Sequence, residues 1–512
     1  MNPRFTLFDV VVLIVYMVGT TVLGVWLGRG QKNSRDYFVA SKAIPWWAIL
    51  FSVVATETSA LTFISIPGLS YLGDFSFLQV AMGYLLGRLV VSALLLPRYF
   101  QGELVTAYAL LERRFGVATR RLASVTFMVT RAFGDSVRVF ATAIPIGLIL
   151  GPSLPIEYVT PVSILVLGAF TLVYTYEGGM RAVVWTDVLQ TGVYVLGGIG
   201  AVYLLGAGVE GGWGAIMDRA SAAGKLRLLD FSTDPSKPHT VWAGLLGGAF
   251  LSMASHGADQ LIVQRLLASS SLKDARRALI GSGVAVIAQF ALFLFIGIGL
   301  YAYYEARVFP RPDEIFPTFI IDVMPPGMTG LVVAAILAAA MSTVSGSLNS
   351  LSAATTHDIY LPLSKRDADD PRVFKMGRLF TLAWAAVLIG GALLYDNTGT
   401  PVVVVALSIA SFTYGGLLGA FFLGMGWRRA VQRDAIAGMV VGIATMTFVV
   451  FARQLSAAYP SLAPTLEPFT RIAWPWYVLI GTTITFVTGM LSSLTHSDPG
   501  PTTAASTLRK AA

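Results

Sequence analysis

The 512-residue chain contains no cysteine and only four histidines. The first absence excludes a disulfide, a thiolate metal site and a cysteine nucleophile. The second leaves no histidine cluster from which to build a catalytic metal centre or a base paired with a nucleophile. Charged residues are also scarce, at 12%, where a soluble domain carries roughly 25%. A long polar connection is missing as well. Every segment between apolar runs is too short to fold as a soluble catalytic or nucleotide-binding domain, which argues against an enzyme.

What is present is apolar surface. The chain is 55% hydrophobic and its mean hydropathy is +0.70, so it reads as an all-α polytopic membrane protein. Thirteen stretches approach the length of about 20 residues needed to cross a bilayer: Leu7–Gly28, Ile44–Leu72, Phe75–Leu96, Leu122–Leu150, Tyr158–Tyr176, Val183–Leu205, Val241–Ile262, Ala278–Tyr303, Met328–Ala354, Leu379–Tyr395, Pro401–Trp427, Ala435–Phe451 and Pro475–Leu494. The first is too long for a cleaved signal peptide and is read as a retained span. Of the 36 lysines and arginines, 24 fall in one alternating set of connections and nine in the other; Arg88, Arg131 and Arg138 lie within spans. Cytoplasmic loops collect Lys and Arg, so the split predicts an external N-terminus and a cytoplasmic C-terminus in the cell membrane. The net charge of +8 then reports topology rather than nucleic-acid binding. Residues 497–512 are expected to form a disordered cytoplasmic tail.

Two apolar stretches are interrupted. Ile44–Leu72 carries Thr56, Glu57, Thr58, Ser59 and Thr62 at mid-depth, followed by Pro67-Gly68. Val241–Ile262 carries Ser252, Ser255, His256, Gly257 and Asp259. Charges at such depth are costly and usually functional. Paired broken helices point to a transporter's binding site near the midplane. The alternative is two continuous helices whose polar groups bond to neighbours. Substrate-binding candidates are Glu57, Ser59, Thr62, Gln79, Ser252, Ser255 and His256, with Arg131, Asp135 and Arg138. The last three share one face at i, i+4 and i+7. They form either an internal Arg–Asp–Arg lock or a contact to substrate; if Glu57 pairs with the stripe's surplus positive charge, the lock is closed. Asp187, near the start of its span, is either a helix-start charge or part of a cation path.

Leu331–Asn349 completes the pattern. Ala339, Ser342 and Thr343 stand at i, i+3 and i+4 and share a face. A carbonyl and two hydroxyls there suit a hard monovalent cation, although small and hydroxyl residues also let membrane helices pack closely.

The segments ATETSALTFISIPG, GGMRAVVWTDVLQ, ADQLIVQR and AAAMSTVSGSLNSLSAATTHDIY, in that order and spacing, resemble the sodium/solute symporter family of sodium-coupled sugar, proline, monocarboxylate and sialic acid cotransporters. The resemblance runs from about Leu7 to Leu494. It implies an inverted five-helix repeat (LeuT-like), with residues 44–206 and 241–427 as the repeats. Residues 1–43 precede them, 207–240 form an external loop and 428–496 hold two trailing helices. It implies Na+ as coupling ion, bound by the carbonyls of Ala55, Thr58 and Ala339 and the hydroxyls of Ser342 and Thr343. A second sodium site found in some members maps to Asp187, Ser342 and Ser345, but its next hydroxyl position is Gly346 here. Sugar-binding positions map to Leu61, Thr62, Val286 and Leu407, which offer a sugar few directional hydrogen bonds. The carboxylate-binding arginine of sialic acid members maps to Gly134 or Asp135.

The expected function is therefore sodium-coupled import of a small organic solute by alternating access, with no nucleic-acid or obligate protein partner. The alternatives are a sodium- or proton-coupled organic anion carrier, or a membrane sensor with a transporter-like body. The short tail after residue 497 argues against the sensor.

Overall fold

The computed structural model describes residues 5–29, 33–40, 44–58, 60–101, 104–150, 155–368, 370–395 and 402–497. Ser59 lies outside them. The fold is all-helical; among the described residues the only strand-like pairing is one bridge between Ile44 and Ser269. The long elements are α1 (Leu7–Leu27), α2 (Trp46–Glu57), α3 (Ala60–Leu72), α4 (Leu78–Leu94), α5 (Val117–Leu150), α6 (Ile156–Gly208), α7 (Gly248–Gly257), α8 (Gln260–Leu267), α9 (Leu272–Tyr303), α10 (Met328–Ala354), α11 (Pro371–Leu394), α12 (Val402–Gly426), α13 (Gln432–Ala458) and α14 (Trp476–Leu494).

Eight helices among the described residues are long and apolar enough to cross a membrane, or nine if the bent pair α2–α3 counts as one span. The expected number was thirteen. The difference has physical sources. Two expected spans are fused in α6, whose one non-helical residue is Gly179 (φ 51°, ψ −155°), a positive φ that glycine accepts without steric cost. Others are interrupted (α7 and α8) or short (α4).

Burial separates centre from rim. The most apolar window of α10 is 94% buried and that of α1 only 17%. The exposed side of α1 carries Leu7, Phe8, Val15 and Val22, a surface suited to lipid. The centre is close-packed through small residues: every residue of α10 from Val332 to Ala354 is buried. It packs on α6, α5, α2 and α1. Asp9 ties α1 to the start of α10, its Oδ1 accepting from the backbone N–H groups of Gly327 (2.7 Å) and Gly330 (2.8 Å). Those N–H groups lie at a helix start, where no intrahelical acceptor exists.

Both interrupted stretches are broken helices. α2 and α3 meet at 60°, and Thr58 leaves the helix at φ −83°, ψ 78°. α7 ends at Gly257 and α8 starts at Gln260. Two connections are more ordered than their polar sequences suggest. Residues 96–116 hold short helices at Leu96–Tyr99 and Ala109–Phe115, with Tyr108, Leu111 and Phe115 buried. The connection after α6 holds a helix at Gly212–Ala222.

Candidate substrate and cation sites

The two breaks face a common cavity of about 870 Å³, including the part open to solvent. Of the predicted substrate residues it gathers Glu57, Thr62, Arg131, Arg138, Ser255 and His256. Its other walls are mainly apolar and aromatic, with Phe77, Tyr84, Leu251, Ile262 and Phe290. Gln79 and Ser252 do not line it. Gln79 instead donates to the carbonyls of Ser76, just before α4, and His239, in the connection after α6, and accepts from the Asp230 N–H of that connection. Asp135 stands behind the wall, shared by its two arginines.

The charges pair differently from the expectation. Glu57 does not meet the arginine stripe. It is bound by Arg88, a fully buried side chain of α4 that also donates to Ser282 Oγ (2.7 Å). The acid that balances the stripe is Asp259, at the second break. Arg131 Nη2 donates to Asp259 Oδ2 (2.6 Å) and to Tyr414 Oη (2.9 Å). Arg138 Nη1 donates to Asp135 Oδ1 at 2.9 Å, Arg131 Nη1 reaches the same oxygen at 3.5 Å, and Ser347 Oγ donates to Asp135 Oδ2. Three cations, Arg88, Arg131 and Arg138, thus meet three anions, Glu57, Asp135 and Asp259. Buried ions need such partners, since an uncompensated one is strongly destabilising.

Two polar groups at the cavity remain under-used. His256 is 3% exposed; its Nδ1 pairs with Ser255 Oγ (2.8 Å), while Nε2 has no hydrogen bond and lies 3.7 Å from Glu57 Oε2. The Arg138 side chain is 23% exposed and donates through Nη1 alone, with Nε unpartnered. The side chain lines the cavity with hydrogen-bonding capacity to spare.

The predicted cation ligands lie on α2, at its end, and on α10, two helices that pack together. Ala55, Thr58, Ala339, Ser342 and Thr343 are all buried. Thr343 Oγ1 donates to the Ala339 carbonyl (3.1 Å), so these two oxygens are neighbours. The Thr58 N–H bonds back to Val54 O (2.8 Å), and Thr58 Oγ1 donates to Gln289 Oε1 (2.7 Å). The α2 ladder stops here, and the carbonyls of a last helical turn have no intrahelical donors.

The residues mapped to a second cation site form a knot joining four helices. Asp187 accepts from Ser342 Oγ (Oδ1, 2.5 Å), Ser52 Oγ (Oδ2, 2.5 Å) and Arg265 Nη2 (Oδ2, 3.3 Å); Arg265 Nε donates to Ser52 Oγ (2.9 Å). Asp187 is not a helix-start charge: it lies inside α6, about two turns past the kink at Gly179, and is fully buried. Arg265, counted above among loop residues, is fully buried as well. Ser345 Oγ turns away to the Ser342 carbonyl (3.1 Å). A Cβ on Gly346 would lie 2.4 Å from Arg265 Nη2, so the glycine makes room for the guanidinium. Arg88, Asp259 and Arg265 were visible as charges in the sequence, but pairs 31, 128 and 78 residues apart leave no local pattern.

Comparison with known proteins bears on this arrangement. The model of the sodium:solute symporter family matches residues 37–442. The chain belongs to the sodium:solute symporter family. It is 30% identical over 476 residues to the sodium/sialic acid symporter NanT of Aliivibrio fischeri, covering 90% of this chain and 91% of that one. It is 27% identical over 469 residues to the human sodium-coupled monocarboxylate transporter 1, covering 90% and 75%. Among solved structures, a substrate-bound, outward-open Na+-coupled sialic acid symporter aligns with a TM-score of 0.83 at 27% identity, over 96% of this chain and 99% of that one. Family membership makes this chain a multi-pass membrane transporter, not an enzyme, with Na+ as its coupling ion.

Proposed function

We propose that the chain is a secondary symporter that imports a small organic solute by alternating access, driven by sodium. Sodium is held by the carbonyls of Ala55, Thr58 and Ala339 and the hydroxyls of Ser342 and Thr343. Three observations support this reading: α2 terminates at Thr58, the Ala339 and Thr343 oxygens are neighbours on α10, and α10 packs on α2, whose Thr56 and Glu57 line the cavity. Neutral oxygens suit a hard cation of single charge, and a site shared between two helices links its occupancy to their relative position. Residues 44–206 and 241–427 are proposed as two inverted repeats of a thirteen-span chain, with each break at the corresponding place. The N-terminus is then external and the C-terminus cytoplasmic.

We propose a single sodium per cycle. Arg265 already supplies the positive charge that Asp187 needs, and Gly346 withholds the hydroxyl that would compete with it. Simultaneous tracer fluxes of sodium and solute in proteoliposomes give the ratio: one supports the reading, and two would restore Asp187, Ser342 and Ser345 as a second site.

A second reading for the solute, an organic anion, is favoured by Arg138, which lines the cavity and donates to Asp135 through Nη1 alone among the described residues. A carboxylate there would gain a charge-assisted, bidentate pair, while the apolar walls would cover its carbon body. The experiment is sodium-gradient-driven uptake into proteoliposomes, with a panel of sugars, amino acids, carboxylates and vitamins. Uptake of a panel member that needs an inward sodium gradient supports symport; equal uptake under a potassium gradient contradicts it.

A further inference from the structure

We infer that the surface groove between the start of α2 and the start of α9 binds the headgroup of an anionic phospholipid. The groove is lined by Trp46, Leu272, Lys273, Arg276, Arg277 and Ile280. It lies apart from both the cavity and the cation site.

The backbone builds it. The bridge between Ile44 and Ser269 holds the chain just before α2 beside the chain just before α9. The two helices then run together so closely that a Cβ on Gly281 would lie 2.5 Å from Leu50. Along α9, Lys273, Arg277, Ile280 and Val284 follow at intervals of four, three and four, and so form one stripe. That stripe changes character with depth. Lys273 and Arg277 are exposed, Ile280 is half-buried, and Val284 is 57% exposed. On the α2 side, Trp46 (38% exposed) is followed one turn further by the half-buried Leu50, which packs against Gly281. Charge at one end, an indole beside it and apolar side chains below reproduce the profile of a lipid–water boundary. The profile fits a phosphate headgroup with its acyl chains, and it fits a soluble anion less well.

The charge is surplus. Arg276 is anchored through Nε to the Ser92 carbonyl (3.0 Å), which leaves its terminal nitrogens free to face the groove. The acid in reach is Asp274, which accepts from the hydroxyls of Ser270 (2.7 Å) and Ser271 (2.8 Å) and stands 3.9 Å from Arg277. Three cations against one carboxylate leave the groove positive, and basic pockets between membrane helices select anionic headgroups. A lipid here would brace α2, the helix that ends at the proposed sodium ligands, against α9.

The test is tryptophan quenching in reconstituted vesicles. The Trp46 signal is the difference between wild type and Trp46→Phe. Phosphatidylglycerol brominated on its acyl chains is titrated against unlabelled phosphatidylcholine, and brominated phosphatidylcholine is the reference. The expected result is preferential quenching of Trp46 by the anionic lipid. Lys273→Gln/Arg277→Gln should reduce that preference about five-fold or more, since each basic residue near the surface adds a comparable increment. Both substituted side chains are exposed, and an unchanged melting temperature checks the fold. Equal quenching by the two lipids, or a preference that survives the double substitution, overturns the inference. Loss of the preference in millimolar inorganic phosphate would also overturn it, by identifying the occupant as a soluble anion.

Discussion

The two broken helices differ in what fills the gap. At the second break the chain supplies its own occupant. Asp259 caps α8 by accepting from the Leu261 N–H (2.8 Å), and it binds Arg131 and Tyr414 as well. At the first break, among the described residues, no side-chain carboxylate does this. The Glu57 side chain turns from the break to Arg88, its carbonyl accepts from Thr62 Oγ1 (3.3 Å), and among the described residues no charged group meets the last carbonyls of α2. One break is closed internally, whereas the other has a negative helix end and neighbouring neutral oxygens. The contrast assigns similar interruptions different ends: the break capped by a carboxylate holds the cavity wall, and the one capped only by a neutral hydroxyl is the proposed seat of a cation that comes and goes.

The largest expected effect comes from unfilling the closed break. Asp259→Asn leaves Arg131 buried with one distant carboxylate at 3.5 Å, and losing one partner of a buried pair costs about 3–5 kcal/mol. The variant should show a steep loss of monodisperse protein after detergent extraction. Adding Arg131→Gln should recover part of it. If Asp259→Asn extracts and melts like wild type, the second break is not held by its own charge.

Arg138→Gln should behave otherwise, because its side chain is partly exposed and its partner Asp135 keeps Ser347 and Arg131. The fold should survive. If the solute is anionic, affinity should fall by about ten- to a hundredfold, matching the roughly 1.5–3 kcal/mol of a hydrogen bond to a charged group, while a neutral solute of like shape is unaffected. Competition binding with matched carboxylates and amides decides it. A folded Arg138→Gln protein with unaltered affinity for every solute removes this arginine from the site.

The smallest expected effect lies at the first break. Thr343→Ala deletes one oxygen of a proposed shell of five and should raise the sodium concentration for half-maximal uptake about tenfold, or ~1.4 kcal/mol. Ser342→Ala should do the same and also loosen Asp187, which would retain Ser52 and Arg265. Unchanged sodium activation in both variants would mean that this face only packs helices.

These residues were unevenly legible in the sequence. Both interruptions, the Ala339–Ser342–Thr343 face and the arginine stripe follow from local spacing on a helix, and α10 has the bounds its hydropathy predicts. The pairing of charges was not legible. Glu57 looked like the stripe's counter-ion because both lie at mid-depth, yet Arg88 reaches it from α4 and Asp259 neutralises the stripe from the far break. Arg265 looked like a loop residue at the end of an apolar run. Its burial depends on Asp187 and Ser52, which meet it only after α2, α6 and α8 have packed. Depth along a helix is a one-dimensional quantity, whereas ion pairing depends on which helices are neighbours.

The most direct test of the proposed cation site at the first break is the melting temperature of the purified protein in sodium and in potassium at equal ionic strength, for wild type and Thr343→Ala. A ligand that binds only the folded state stabilises it in proportion to the logarithm of its concentration above Kd. The account predicts a saturable rise with sodium, none with potassium, and a curve displaced about tenfold towards higher sodium in Thr343→Ala, as for the loss of ~1.4 kcal/mol. Identical melting in the two salts, or a sodium response that the substitution leaves in place, would contradict it.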